Sequence, residues 1–387
     1  MIKEKRISKN LNQFSFPRLS GSEKEKELFK KLKNKIEELN LDYNIQNFTF
    51  TKFYPKIYQK ITFTLVIWFL LVLYFIPTLF SISINLIIIL LIFIPLVVLT
   101  RNPSKIRIGK KYSSNNIFLN FSNNSEKNLI ENMKNEKNLF LIAHIDSKGQ
   151  TLPMLLRVVN IRIWIYSLIT SSILIIIKNV FFYQILFFNV IALVSLLINL
   201  ITTIIVLLNF STNNSPGAID DASGVTILIE LLNHLSEEQI KINDYNLWFL
   251  FTGSEENGTM GIRNFFNHIK DFNKLKTKFI NFDSVAQRID TWGPANNLER
   301  DKGFYRTFMK LTKEESNLYF HFKPFIFATI RSDAYYLKTE GFKGFSFGDT
   351  TVYKHIHSKR DTADKINPKI LSKLCKIIVN FLRELDN

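Results

Sequence analysis

The chain has 387 residues, with 50 Lys and Arg against 33 Asp and Glu, for a formal net charge of +17. Its single cysteine, Cys375, excludes an internal disulfide and fits a reducing compartment. Such a cationic excess calls for an anionic neighbour, either nucleic acid or a lipid surface. There is no zinc-finger spacing and no Arg/aromatic recognition pattern, so no nucleic acid is expected as a partner.

In chain order, "MIKEKRISKN" has no apolar core behind it and is not expected to act as a cleavable signal peptide. "SGSEKEKELFKKLKNKIEEL" places Leu28, Leu32, Ile36 and Leu39 on one helical face, with Ser22 and Glu25 spaced as a capping box. "YNIQNFTF" reads as a strand. Residues 61–100 then run without a single charge. A helix needs roughly 20 apolar residues to cross a bilayer, so this stretch holds two crossings with a turn near Pro77 to Ser83. "NNIFLNF" and "NLFLIAHIDS" are strands. Ile163 to Phe210 carries only one charge, Lys178, and reads as a second pair of crossings with a turn near Lys178 to Gln184. Core helices of a soluble protein are the alternative for both stretches. The flanks are rich in Lys and Arg: Lys52, Lys56, Lys60, Arg101, Lys105, Arg107, Lys110 and Lys111 around the first, Arg157 and Arg162 before the second. Positive flanks stay in the cytoplasm, so both hairpin tips are expected outside and the rest of the chain inside.

Beyond the second hairpin, "VTILIELLNHL" reads as helix, "YNLWFLFTGSEE" as a buried strand, "GTMGIRNFFNHI" as helix, "KFINFDS" as strand, and "PKILSKLCKIIVNFLREL" as an amphipathic helix opened by Pro368. The fold class is therefore α/β. One mixed sheet covered by helices on both faces is expected from a single discontinuous domain (1–56, 102–156 and 211–387), interrupted by transmembrane hairpins at 57–101 and 157–210. Ligands of such sheets sit at the carboxyl ends of the strands. Three strands end in His or acid: His144 with Asp146, Glu255 with Glu256, and Asp283. The turn "SPGAIDDASG" adds the adjacent acids Asp220 and Asp221. Taken alone it reads as an ordinary helix start. Beside the other strand ends, its paired carboxylates make sense if a dication neutralises them. His and carboxylate donors with little thiolate suit Zn²⁺, and two-metal sites hold their ions roughly 3.5–4 Å apart and activate a shared water.

These residues resemble the bimetallic zinc aminopeptidases, peptidase family twenty-eight of clan MH, which includes bacterial leucyl aminopeptidases and glutamate carboxypeptidase II. "AHIDS", "PGAIDDASG", "GSEENGTMGIRNF", "NFDS", "RSDAYYL" and "IHSKRDTADKI" match its motifs in order, and "FPRLSGSEKEKELFKKL" is similar to its entry helix. The resemblance covers all of the chain except the two hairpins. It implies a zinc-exopeptidase-like fold and two Zn²⁺ ions. Asp220 would bridge them, with a cis peptide bond to Asp221. His144 and Asp283 would complete one metal, Glu256 and His357 the other. Glu255 would be the general base, and Asp146 would orient His144 through its other ring nitrogen. Asp333 fits the Ser-Asp block or, equally, a helix start. The family's oxyanion-stabilising tyrosine has three candidates, Tyr335, Tyr336 and Tyr353. Position 356 is Ile, so any tyrosine expected just before His357 is missing. His355, His234, His268 and His321 match no motif.

The implied activity is membrane-bound, metal-assisted hydrolysis of a peptide substrate at its free N-terminus, by a four-span protein embedded in the lipid bilayer. A carboxypeptidase or other amide hydrolase on the same two ions is the nearest alternative, and a non-catalytic receptor or scaffold the next. Nothing in the sequence fixes an oligomeric state.

Overall fold

The computed structural model describes residues 2–121, 133–294, 303–314, 320–324 and 332–385. The chain divides into two compact units: Met1–Phe50 with Tyr112–Gly149 and Thr212–Asn387, and Thr51–Lys111 with Gln150–Ser211.

The first unit is built on an eight-stranded mixed sheet. Its strands are β1 (Asn44–Thr51), β2 (Lys111–Asn120), β3 (Asn138–His144), β4 (Asn246–Thr252), β5 (Thr277–Phe282), β6 (Ile289–Gly293), β7 (Phe320–Pro324) and β8 (Lys343–Gly348), in the order β1-β2-β4-β3-β5-β8-β6-β7. The central run β4-β3-β5-β8 is parallel, β2 meets β4 antiparallel, β6 meets β8 antiparallel, and β7 lies parallel to β6. β3 is buried along its whole length, which is why it reads as an unbroken apolar run instead of an alternating one. One face packs Phe140, Ile142, Trp248, Leu250 and Phe279 against Ile262 and Phe265 of α8 (Met260–Ile269) and Leu337 of α10 (Asp333–Thr339). Residues of the opposite parity serve the other face, where α1 (Glu4–Phe14), α7 (Ser223–Glu237) and α11 (Pro368–Leu385) pack together. α2 (Glu23–Glu37) starts at Ser22, whose side chain accepts from Glu25 N, while Glu25 accepts from Gly21 N at 2.6 Å.

Helix α1 has no counterpart in the sequence reading. It buries Ile7, Leu11 and Phe14, and Arg6 reaches the fully buried Glu230 of α7 through Nε (2.6 Å) and a terminal nitrogen (2.9 Å). α9 (Gly303–Glu314), β6, β7 and β8 were likewise not foreseen as elements.

The second unit is helical: α3 (Gln59–Phe75, continuous with a turn from Tyr54), α4 (Leu79–Thr100), α5 (Met154–Phe181) and α6 (Leu186–Leu207). All four are long and apolar enough to cross a membrane. The first break falls at Ile76–Thr78, where Thr78 caps α4 by accepting from Ser81 N at 3.2 Å. The second falls after Phe181, so Lys178 lies inside α5 and not at the tip. Its amine donates to Tyr74 O at 3.0 Å and stands over the Tyr74 ring.

Candidate metal centre

The parallel strands deliver their polar ends to one place. His144 closes β3, Glu255 and Glu256 form a short helical turn after β4, and Asp283 follows β5. Opposite them, the Gly217–Ala222 turn enters α7. Gly217 has φ +62, and a Cβ there would stand 2.3 Å from Ser147 Cβ, so the turn needs glycine on both counts.

The two adjacent aspartates divide the work, and the peptide bond between them is cis. Asp221 is consumed by backbone: it accepts from Gly224 N at 2.9 Å, Ser284 N at 3.3 Å and His144 N at 3.2 Å, tying α7 to the ends of β3 and β5. Asp220 turns its carboxylate into the cluster. Its Oδ1 lies 2.9 Å from His144 Nε2 and its Oδ2 lies 3.1 Å from His357 Nε2. Glu256 Oε1 is 2.8 Å from His357 Nε2, and Asp283 Oδ1 is 4.0 Å from His144 Nε2. Two groups result, His144–Asp220–Asp283 and Asp220–Glu256–His357, each with its donor atoms within 4.8 Å of one another. Asp220 belongs to both.

Asp146 holds the cluster's frame. Its carboxylate accepts from Glu255 N at 2.9 Å, from Glu256 N at 3.1 Å and from the Ser20 hydroxyl. His144 Nδ1 lies 3.1 Å from the Asp146 carbonyl and 3.4 Å from its carboxylate, which leaves Nε2 facing Asp220. Glu25 supports the same turn from α2, accepting from Ser114 Oγ at 2.7 Å and Ser254 N at 3.3 Å. Arg18, with no exposed surface, donates to the carbonyls of Ile145, Pro216 and Gly217 at 2.6, 2.7 and 2.8 Å. Asp361 accepts from Ile219 N at 2.6 Å and Ser215 Oγ at 3.2 Å. His357 sits at φ +58, a backbone conformation that costs a non-glycine residue about 1–2 kcal/mol.

Burial dominates the electrostatics. It pushes Asp221 and Glu255 well above the usual carboxylate range, and Asp283, with Asp220 adding its charge, up to about 6. Against the same penalty, His144 and His357 hold Asp220 well below that range. Burial also disfavours the charged form of both imidazoles, but the carboxylates around them outweigh it. His144 is driven well above the ordinary imidazole value and His357 up to about 9.

The residues outside the motifs sort as follows. Asp333 is both a helix start and a buried acid: it opens α10, caps nothing, and accepts from the Thr252 hydroxyl, with burial pushing it up to about 7. Among the three tyrosines, Tyr353 is raised well above its ordinary value, by burial first and then by the charges of Asp283 and Asp220. Tyr336 instead lies under the Arg263 guanidinium, 4.4 Å from its ring centroid. Lys148, missed in the sequence, places its amine 3.4 Å from Glu256 Oε2. His355, His234 and His268 belong to neither group; His268 meets Gln46 at 2.9 Å. His321 lies on β7.

Residues 206–382 match the model of peptidase family M28. That stretch, less than half of the chain, is similar to M28 peptidases. The matched stretch includes Asp220, Glu255, Glu256, Asp283 and His357, while His144 and Asp146 precede it. No curated protein matches the sequence. Among solved structures, the fold is similar to that of an aminopeptidase from Aneurinibacillus sp. strain AM-1 (TM-score 0.57, 13% identity, covering 99% of this chain and 94% of that one). It is also similar to a zinc aminopeptidase from Bacillus subtilis (0.55, 13%, 99% and 95%) and to a glutaminyl cyclase from Fimbriiglobus ruber (0.52, 13%, 99% and 95%).

Proposed function

We propose that this protein is a membrane-anchored dizinc peptidase that removes residues from free peptide N-termini. One observation carries the reading: Asp220 gives one carboxylate oxygen to the His144 group and the other to the His357 group. The donor set fits two Zn²⁺ ions. It consists of imidazole and carboxylate only and is buried or nearly so, with Asp221 and Glu255 adding further carboxylates beside the two imidazoles. His144, Asp220 and Asp283 would hold one ion, and Asp220, Glu256 and His357 the other. Bound there, a zinc pair would supply Lewis acidity to a carbonyl and lower the pKa of water.

The chain's own residues do the rest. Asp146 orients His144 and fixes the backbone that carries Glu255 and Glu256. The Glu255 carboxylate takes the proton of the attacking water and returns it to the leaving amine, balancing the cleavage. Among the three candidate tyrosines, Tyr353 is pushed up by burial and then by the charges of Asp283 and Asp220, and its hydroxyl is the donor we assign to the developing oxyanion. In this reading the four apolar helices anchor the enzyme, and the Lys/Arg-rich flanks favour a cytoplasmic catalytic unit.

The test is a panel of free, N-blocked and C-blocked peptides. Cleavage of free and C-blocked but not N-blocked members is expected. Cleavage confined to members with a free C-terminus would make the enzyme a carboxypeptidase. The likeness to a glutaminyl cyclase adds an N-terminal glutaminyl peptide to the panel. Loss of ammonia from it without chain cleavage would replace the peptidase reading. Sidedness is read with Tyr183→Cys and Lys270→Cys, both exposed positions. The first should react with an impermeant thiol reagent added to intact cells and the second should not.

A further inference from the structure

We infer that the α3–α4 end of the helical unit carries a binding site for the headgroups of anionic phospholipids. The inference rests on the reading of α3 and α4 as membrane spans. Residues 51–111 and 150–211 contain no Asp and no Glu. The cations of this unit therefore have no carboxylate of their own unit to offset them. Lys56, Arg101, Lys105, Arg107 and Lys111 are among the exposed ones. Packing brings the segments that carry them to one end of the helix pair. Ile106 folds back to be almost wholly buried with Phe53 of the α3 approach and Leu96 of α4, and Tyr54, Tyr58 and Leu99 close around them. The loop after α4 is thereby pinned beside the start of α3, and Arg107 braces it by donating to Ser104 O at 2.8 Å.

The surface has the three parts that a headgroup site needs. The stacked rings of Tyr54 and Tyr58, centroids 5.8 Å apart, stand at the entry to α3, where amphipathic aromatics favour the bilayer interface. Ile57 and Ile108 are 44% and 50% exposed beside the cations, apolar groups set to meet the acyl boundary. Arg101 and Arg107 offer planar forks that match phosphate oxygens two at a time, and the three lysines add point charges. A phosphate-bearing, net-negative lipid satisfies all three parts. A zwitterionic lipid brings its own cation and gains less. Cation clusters next to a span attract anionic lipid in this way, and the attraction weakens with salt.

The test uses the full chain, purified in mild detergent, stripped of lipid and titrated with phosphatidylglycerol or phosphatidylcholine, with bound lipid counted by native mass spectrometry. Phosphatidylglycerol should bind about tenfold or more tightly than phosphatidylcholine. The combined variant Lys56→Gln, Lys105→Gln, Arg107→Gln, Lys111→Gln should lose most of that preference, whereas Lys105→Arg with Lys111→Arg should keep it. Equal binding of the two lipids by the wild type would overturn the inference, as would full competition by millimolar inorganic phosphate, which would mark a site for a free anion. Extraction of the native membranes with alkaline carbonate separates the two levels of failure. A chain released by carbonate contradicts the span reading and the lipid site together. A chain that resists carbonate but binds both lipids equally contradicts the lipid site alone.

Discussion

In the α/β unit, buried polar side chains from β3, the 217–222 turn, the end of β4 and the His357 loop converge on one carboxylate, Asp220. In the helical unit the polar side chains bond in separate pairs to a neighbouring helix and share no common point. Asn160 donates to Thr202 O, Ser171 pairs with Ser195, Asn199 donates to Trp164 O and Ser167 Oγ, and Asn179 donates to Leu73 O. The first arrangement concentrates like charge and needs an outside cation. The second is pairwise and, apart from Lys178, neutral, as expected of polar residues that fasten helices in an apolar solvent. Burial of polar groups is thus a sign of chemistry only where the groups converge and leave net charge.

The contrast can be sharpened by substitution, beginning where the largest loss is expected. Glu255→Gln keeps the shape of the cluster and removes the proton acceptor proposed above. Turnover should fall by about 10²–10⁴-fold with bound metal unchanged, measured by peptidase assay and metal analysis together. Retention of most activity would reassign the general base. Asp146→Asn weakens the support of His144 and of the Glu255–Glu256 backbone at once. Metal affinity should drop by about 10–100-fold, read by competition with a chelator. In the helical unit a single deletion should matter far less. Asn199→Ala removes two hydrogen bonds between α5 and α6 and should cost about 0.6 kcal/mol, and at most about 1.7, in a detergent unfolding titration with no change in metal content. Leu91, 69% exposed on α4, faces away from the other helices, and Leu91→Ala should stay within about 0.5 kcal/mol of wild type. A loss on Leu91→Ala as large as that on Asn199→Ala would mean that α4 packs against something beyond this chain.

Much of this division was legible in the sequence, for different reasons in the two units. The helices announced themselves by the near-absence of charge over 61–100 and 163–210. The donors announced themselves as His or acid at strand ends and in the Asp220 turn, positions set by the periodicity of a parallel sheet. The supporting residues were not legible because each acts over a long sequence separation. Arg18 braces carbonyls at 145, 216 and 217, Asp361 holds Ile219 N, and Lys148 meets Glu256 only once β3 and β4 lie side by side. The distinct duties of Asp220 and Asp221 were also invisible, since adjacency says nothing of which carboxylate faces backbone. Helix α1 could have been found from Ile7, Leu11 and Phe14, an i, i+4, i+7 stripe that its many Lys and Asn neighbours obscured. β6 and β7 are short strands at one edge of the sheet, outside the motif-bearing core.

The account stands most directly on zinc stoichiometry in the full chain, purified in detergent without chelator, wild type beside Asp220→Ala and Glu256→Gln. Because one carboxylate serves both donor groups, the wild type should carry two zinc ions, Glu256→Gln should lose one, and Asp220→Ala should lose both together. A wild type with no zinc, or an Asp220→Ala variant that still holds both ions, would contradict it.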